Sequence, residues 1–178
     1  MTAGERARVP QAVEWAARRG VLPGGHGLTA FVRAVAALAG SADVDAGTAV
    51  VCAAATALGE NCAEAVAVGA AVSDLVAAGL PDARAQGWSA EVIAAVIGGC
   101  VAAGLMLGLP EPRLRAAIGI AATQAAGLCS AEGTDLGQLQ AGKAAFNAVE
   151  AALLAQRGFT SSPQPLEGRR GLYALFAR

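Results

Sequence analysis

VIAAVIGGCVAAGLMLGL, residues 92–109, carries no charged side chain. A run of this length and hydropathy reads either as a membrane span or as a helix surrounded by protein on all sides. Three features favour the second reading. Glu91 and Glu111 stand near its two ends where a membrane helix would have a basic inner flank, no aromatic belt brackets it, and small residues such as Gly98 and Ala102 recur along it. Small residues let neighbouring backbones approach, so the segment is expected to be a buried interface helix, and no membrane partner is expected. Ser89 is a suitable N-cap for it, and Gly108 a suitable end.

The rest of the chain arranges itself around this helix. Downstream, Pro112 in LPEPRLRAAIGIAATQAAG suits the first turn of a second long antiparallel helix, and a further helix is expected over about 143–157, ended by Gly158. Upstream, the breakers predict helices over 10–19 and 29–39, joined by the PGGHG loop. Another follows Asp45 through TAVVCAAATALG, and one is announced by Asn61 and Glu64, which approximate a capping box, and ends near Pro81. A short helix closes the chain after SSPQP. The expectation is an all-α compact bundle, residues 1–178 forming one domain.

Composition bounds the function. The 178 residues are 55% hydrophobic and only 4% aromatic, a mix dominated by small helix formers, and the apolar excess points to a homo-oligomer, most simply a dimer. With 13 basic and 14 acidic residues there is no basic face for a nucleic acid. Cys52, Cys62, Cys100 and Cys129 lack zinc-ligand spacing and fit small buried thiols, so no metal site and no cofactor is expected. The N-terminus shows no signal-peptide pattern, which leaves a cytoplasmic location as the default.

Residues 87–128, GWSAEVIAAVIGGCVAAGLMLGLPEPRLRAAIGIAATQAAGL, resemble the helical core of the MmgE/PrpD family, and GTDLGQLQAGKAAFNAVEAALLAQRGFTSSPQPLEGRRGLYALFA resembles the segment that ends that domain. DAGTAVVCAAATALGE is similar to the stretch that usually begins His-Pro-Gly, so the resemblance covers 45–177. It implies an all-α, usually dimeric domain. It also implies kinship with enzymes such as 2-methylcitrate dehydratase and cis-aconitate decarboxylase, which are longer and carry an α+β lid after the point where this sequence stops. A second polypeptide replacing the lid is therefore a possible partner.

The family's protic groups do not carry over. By the resemblance, its motif histidine falls at Asp45, the histidine after Gly-Trp at Ser89, the lysine of the later motif at Gly137 and that motif's histidine at Gln140, while Gly87, Trp88, Leu139 and Gly142 match. Acid–base catalysis needs a group whose pKa can be brought near the working pH, so the family's own reaction is not expected. Asp45 and Ser89 are also good N-caps, which accounts for them structurally, although a helix N-terminus still offers N–H donors to a bound anion.

Other groups are candidates. Gln140, Lys143 and Asn147 recur at i, i+3, i+7 and are expected to share a helix face, directed into a pocket or forming a solvated stripe. Glu132 and Asp135 flank Gly133-Thr134 in a loop and are the remaining carboxylates for proton transfer. The candidate catalytic set is thus Gln140, Lys143, Glu132 and Asp135. The candidate substrate-binding set is Trp88, Ser89, Asp45, Thr134 and Asn147. His26, in a glycine-rich loop, and Cys129, without a histidine to activate it, are outside candidates. Two readings follow: a diverged enzyme that cyclises, dehydrates or isomerises a small organic substrate, or a non-catalytic scaffold subunit that retains the helical dimerisation half.

Overall fold

A computed structural model describes residues 25–40 and 44–176. The helix expected over 10–19 lies outside them. Among the described residues there are six α-helices and no strand: α1 (His26–Gly40), α2 (Ala46–Thr56), α3 (Ala63–Ala78), α4 (Ala90–Met106), α5 (Glu111–Ala122) and α6 (Asp135–Gln156). Single 3-10 turns occupy Arg84–Gln86, Cys129–Ala131 and Tyr173–Leu175. The fold is all-α, as the sequence predicts.

The uncharged run is the central helix, α4, buried continuously from Val92 to Gly104. It packs on α2, α3, α5 and α6, while α1 lies against α6 and α2. No described helix is long and apolar enough to cross a membrane. Glycines set its distance from its neighbours: a Cβ on Gly69 of α3 would lie 2.7 Å from the carbonyl oxygen of Gly98 and 2.9 Å from Val51 Cγ1. Glycine inside a helix costs about 1 kcal/mol relative to alanine, and here close backbone packing offsets that cost.

The caps behave largely as their residue types require. Asp45 Oδ1 accepts from the Thr48 N–H at 2.8 Å and Oδ2 from the Thr48 hydroxyl at 2.7 Å, and Ser89 Oγ accepts from the Val92 N–H at 3.4 Å. Basic side chains of α1 satisfy the end of α2, with Arg33 donating to Thr56 O and His26 Nδ1 to Ala57 O at 2.9 Å. His26 is therefore the first residue of a helix that clamps another helix end, rather than part of a flexible loop.

Two local expectations are corrected. The Asn61–Glu64 capping box does not form, because α3 begins one residue later with Cys62 at the cap position and no side-chain cap bond. The helix expected from 143 starts at Asp135, since Gly137 and Gly142 serve close packing there and do not interrupt the helix.

Candidate functional site

Trp88 and Leu128 form an isolated antiparallel bridge. Ser89 N–H donates to Gly127 O at 3.1 Å, and Cys129 N–H donates to Gly87 O at 3.0 Å. Gln140, from the second turn of α6, closes over the same place: Oε1 accepts from the Leu128 N–H at 2.7 Å, and Nε2 donates to Leu128 O at 3.3 Å. Three of the candidate residues, Trp88, Ser89 and Gln140, thus meet around one short piece of backbone.

Gly137 explains how that backbone reaches them. A Cβ at this position would sit 2.8 Å from Ala131 O, so the 129–131 turn rests directly on the helix where a side chain would otherwise project. A lysine at 137 and this position of the turn exclude one another. Glu132, next in the chain, is held by both guanidinium nitrogens of Arg84 at 2.9 Å each. Hydrogen bonding to Arg84 keeps its carboxyl below the ordinary value. Thr134 directs its hydroxyl to Ala131 O at 2.7 Å, and Asp135 lies in the first turn of α6 with Oδ1 buried.

Gln140, Lys143 and Asn147 do not converge on one cavity as a shared helix face allowed. Lys143 is exposed, with Nζ 4.3 Å from the centre of the Phe146 ring. Asn147 is buried and donates to Gln124 O at 3.3 Å. The three positions lie within about 60° of one another around α6 but are spread over about 10 Å along it, so a different neighbour meets each of them. Trp88 stands edge-on to Phe176, ring centres 6.3 Å apart, and keeps 37% of its surface exposed.

A second constellation was not legible as a site in the sequence. Glu91, met there only as a flanking charge, reaches from the first turn of α4 to the start of α2, where Oε1 accepts the Gly47 N–H at 3.2 Å. Its carboxyl lies beside that of Asp45, the two flanking the same face of Gly47 and acting on one another's ionisation. A Cβ on Gly47 would lie 3.1 Å from Asp45 Oδ1 and 3.4 Å from Glu91 Cγ, so glycine there is what lets the two acids approach. Desolvation, outweighing the Gly47 bond and reinforced by Asp45, pushes the Glu91 carboxyl up. Desolvation also opposes ionisation of Asp45, but its bonds with Thr48 and the Glu91 carboxyl beside it prevail and hold it below its ordinary value. The pair therefore keeps a proton on Glu91 and a charge on Asp45 over the same pH range.

The pair opens on a groove of about 320 Å³ between α2, α3 and α4, whose other polar groups are Thr48, Ser73 and Asp74. A concave surface bearing two titratable groups with pKa values pushed apart is the arrangement that proton transfer requires.

The model of the MmgE/PrpD N-terminal domain matches residues 26–178, and the chain belongs to that family. No curated protein matches it.

Proposed function

We propose that this member of the MmgE/PrpD family is a diverged enzyme acting on a small organic molecule, with Glu91 as its proton-transfer group and Asp45 as the charge that tunes and orients it. The observation that carries this reading is the approach of the Asp45 and Glu91 carboxyls around Gly47 in the wall of the α2–α3–α4 groove. Asp45 stands where the family has a histidine, so one protic group has given way to another.

Dehydration fits this pair. Glu91 gives its proton to a hydroxyl of the substrate, the C–O bond breaks, and water leaves. The Glu91 carboxylate then removes a proton from the adjacent carbon as the double bond forms, which restores the starting state. Asp45 remains ionised throughout and favours the protonated form of Glu91. Isomerisation or cyclisation would use the same proton in the same place. Trp88, Gln140 and Lys143 line neither this groove nor the two along the 160–175 segment.

The test is deuterium incorporation. A panel of small hydroxy acids, unsaturated acids and ketones is incubated with the protein in D2O and followed by proton NMR. Exchange at a carbon bearing an acidic proton is expected, abolished in Glu91→Gln and shifted to lower pH in Asp45→Asn. A panel without exchange, or exchange untouched by Glu91→Gln, would sink the assignment.

A second reading, a scaffold or partner subunit, rests on a different observation. Val68 and Leu75 on α3 are 39% and 72% exposed, and only Ala65, Gly69 and Val76 of that helix are buried. An apolar outer face of this kind suits another copy of the chain or a second polypeptide. Co-purification with a stoichiometric partner, together with no exchange in the NMR panel, would favour it.

A further inference from the structure

A groove of about 780 Å³ runs between the C-terminal half of α5 and the segment from Thr160 to Leu175. Arg169 and Arg170 line it, together with Thr160 and Ser162, and no acidic residue does. Their neighbour Glu167 lines instead a separate groove of about 210 Å³ with Glu111 and Arg115. The Leu-Glu-Gly-Arg-Arg-Gly sequence thus places its acid at one groove and both arginines at the other. Among the described residues neither arginine has a carboxylate partner, whereas Arg84 and Arg115 each have one.

The wall carrying these arginines is held in place before any ligand arrives. Leu172 and Tyr173 donate backbone hydrogen bonds to Pro165 O and Leu166 O at 3.0 and 3.1 Å, and Gly171 N–H donates to Gly168 O at 2.7 Å. Side chains on Gly168 and Gly171 would strike the carbonyl oxygens of Gln164 and Leu166, so the two glycines bracketing the arginines permit the tight fold between them. On the opposite wall Gly119 has no Cβ, and Ser161 fills that space. Ser162 Oγ accepts from the Gln164 N–H at 3.3 Å, which leaves its own proton to donate.

These donors select their ligand. One guanidinium fork satisfies both oxygens of a carboxylate, so two forks and two hydroxyls match the larger oxygen count and charge of phosphate. The volume exceeds what a phosphate alone requires, and Ile120 and Leu175 supply apolar wall for an organic body. We propose that this groove binds a phosphorylated small molecule, its phosphate held by Arg169, Arg170, Thr160 and Ser162 and its body lying along Ile120 and Leu175. The site is distinct from the Asp45–Glu91 groove, and its occupancy does not depend on the chemistry proposed there.

Isothermal titration of the full chain with inorganic pyrophosphate tests this, with acetate as the carboxylate control. Saturable pyrophosphate binding is expected, with affinity falling as salt rises, and acetate is expected to give none. Arg169→Gln/Arg170→Gln should weaken binding about tenfold or more at unchanged Tm, since both side chains are exposed. Thr160→Val, which leaves every charge in place, should weaken it several-fold and guards against a misfolded double variant. Absence of saturable heat with pyrophosphate, equal binding by the double variant, or acetate binding as tightly as pyrophosphate would each overturn the proposal.

Discussion

Gln140 holds Leu128 by both of its backbone polar groups, accepting from the N–H at 2.7 Å and donating to the carbonyl at 3.3 Å. An imidazole has no acceptor and donor spaced to grip one residue in this way, whereas a primary amide mimics a β-strand neighbour. Gln140 is therefore a fastening between α6 and the 127–129 segment. Gln140→Ala should lower stability by about 1–2 kcal/mol, read from the urea midpoint. Gln140→Glu should recover only part of this, because it keeps an acceptor and loses the donor.

The backbones of α3 and α4 approach one another closely at Gly69 and Gly98. A methyl group at Gly98 would press on Gly69 O and stand 2.9 Å from Ser73 Cβ. Gly98→Ala improves helix propensity, yet we expect a net loss of about 1–3 kcal/mol, because rigid backbone has to move apart. An unchanged or raised Tm would show that α3 shifts freely along α4.

The Asp45–Glu91 pair gives stability a pH dependence of known sign. Folding raises the Glu91 pKa above its ordinary 4.5, so this group's stabilising contribution is full below that pH and is lost as pH rises through the folded value. Glu91→Gln keeps an acceptor for Gly47 without the ionisation. Its stability relative to the parent should therefore increase with pH above about 4.5 and level off beyond the folded pKa. Asp45 acts in the opposite direction, its contribution present above 3.8 and lost as pH falls through its lowered value. A pH-independent difference between Glu91→Gln and the parent would contradict the raised Glu91 pKa.

Gly47→Ala tests the same contact by geometry. The added methyl crowds Asp45 Oδ1 and Glu91 Cγ, so the carboxyls separate and the Glu91 pKa should move back toward 4.5. Carbon-detected NMR titration of the glutamate side chains would measure this.

Cys100, fully enclosed by the bundle, has its thiol pushed up to about 12 by burial. At pH 8 its thiolate is scarce and inaccessible, so labelling by a disulfide reagent should wait for global opening and accelerate with urea in step with unfolding. Rapid labelling of Cys100 in native buffer would show that α4 is less enclosed than its packing indicates.

What the sequence by itself determined was the helical architecture. Uncharged, small-residue composition made 92–109 a buried helix, and Asp45, Ser89 and Pro112 marked helix starts through chemistry local to one turn. Helix periodicity and capping are set by residues within about four positions of each other, which is why these features could be read without the fold. The family, too, was legible from motifs in 45–177.

The tertiary structure decided which side chains meet. Gly137 was open to reading as a lost lysine, but only the approach of Ala131 shows that the space itself is filled. Glu91 is 44 residues from Gly47, and its role depends on how α4 crosses α2, a matter of packing distance that no local spacing encodes. The same holds for Gln140, Lys143 and Asn147, whose common spacing suggested one destination. Their partners, Leu128, Phe146 and Gln124, were chosen by what lay opposite each of them, because a side chain's hydrogen bonds and desolvation are set by neighbours in space rather than along the chain.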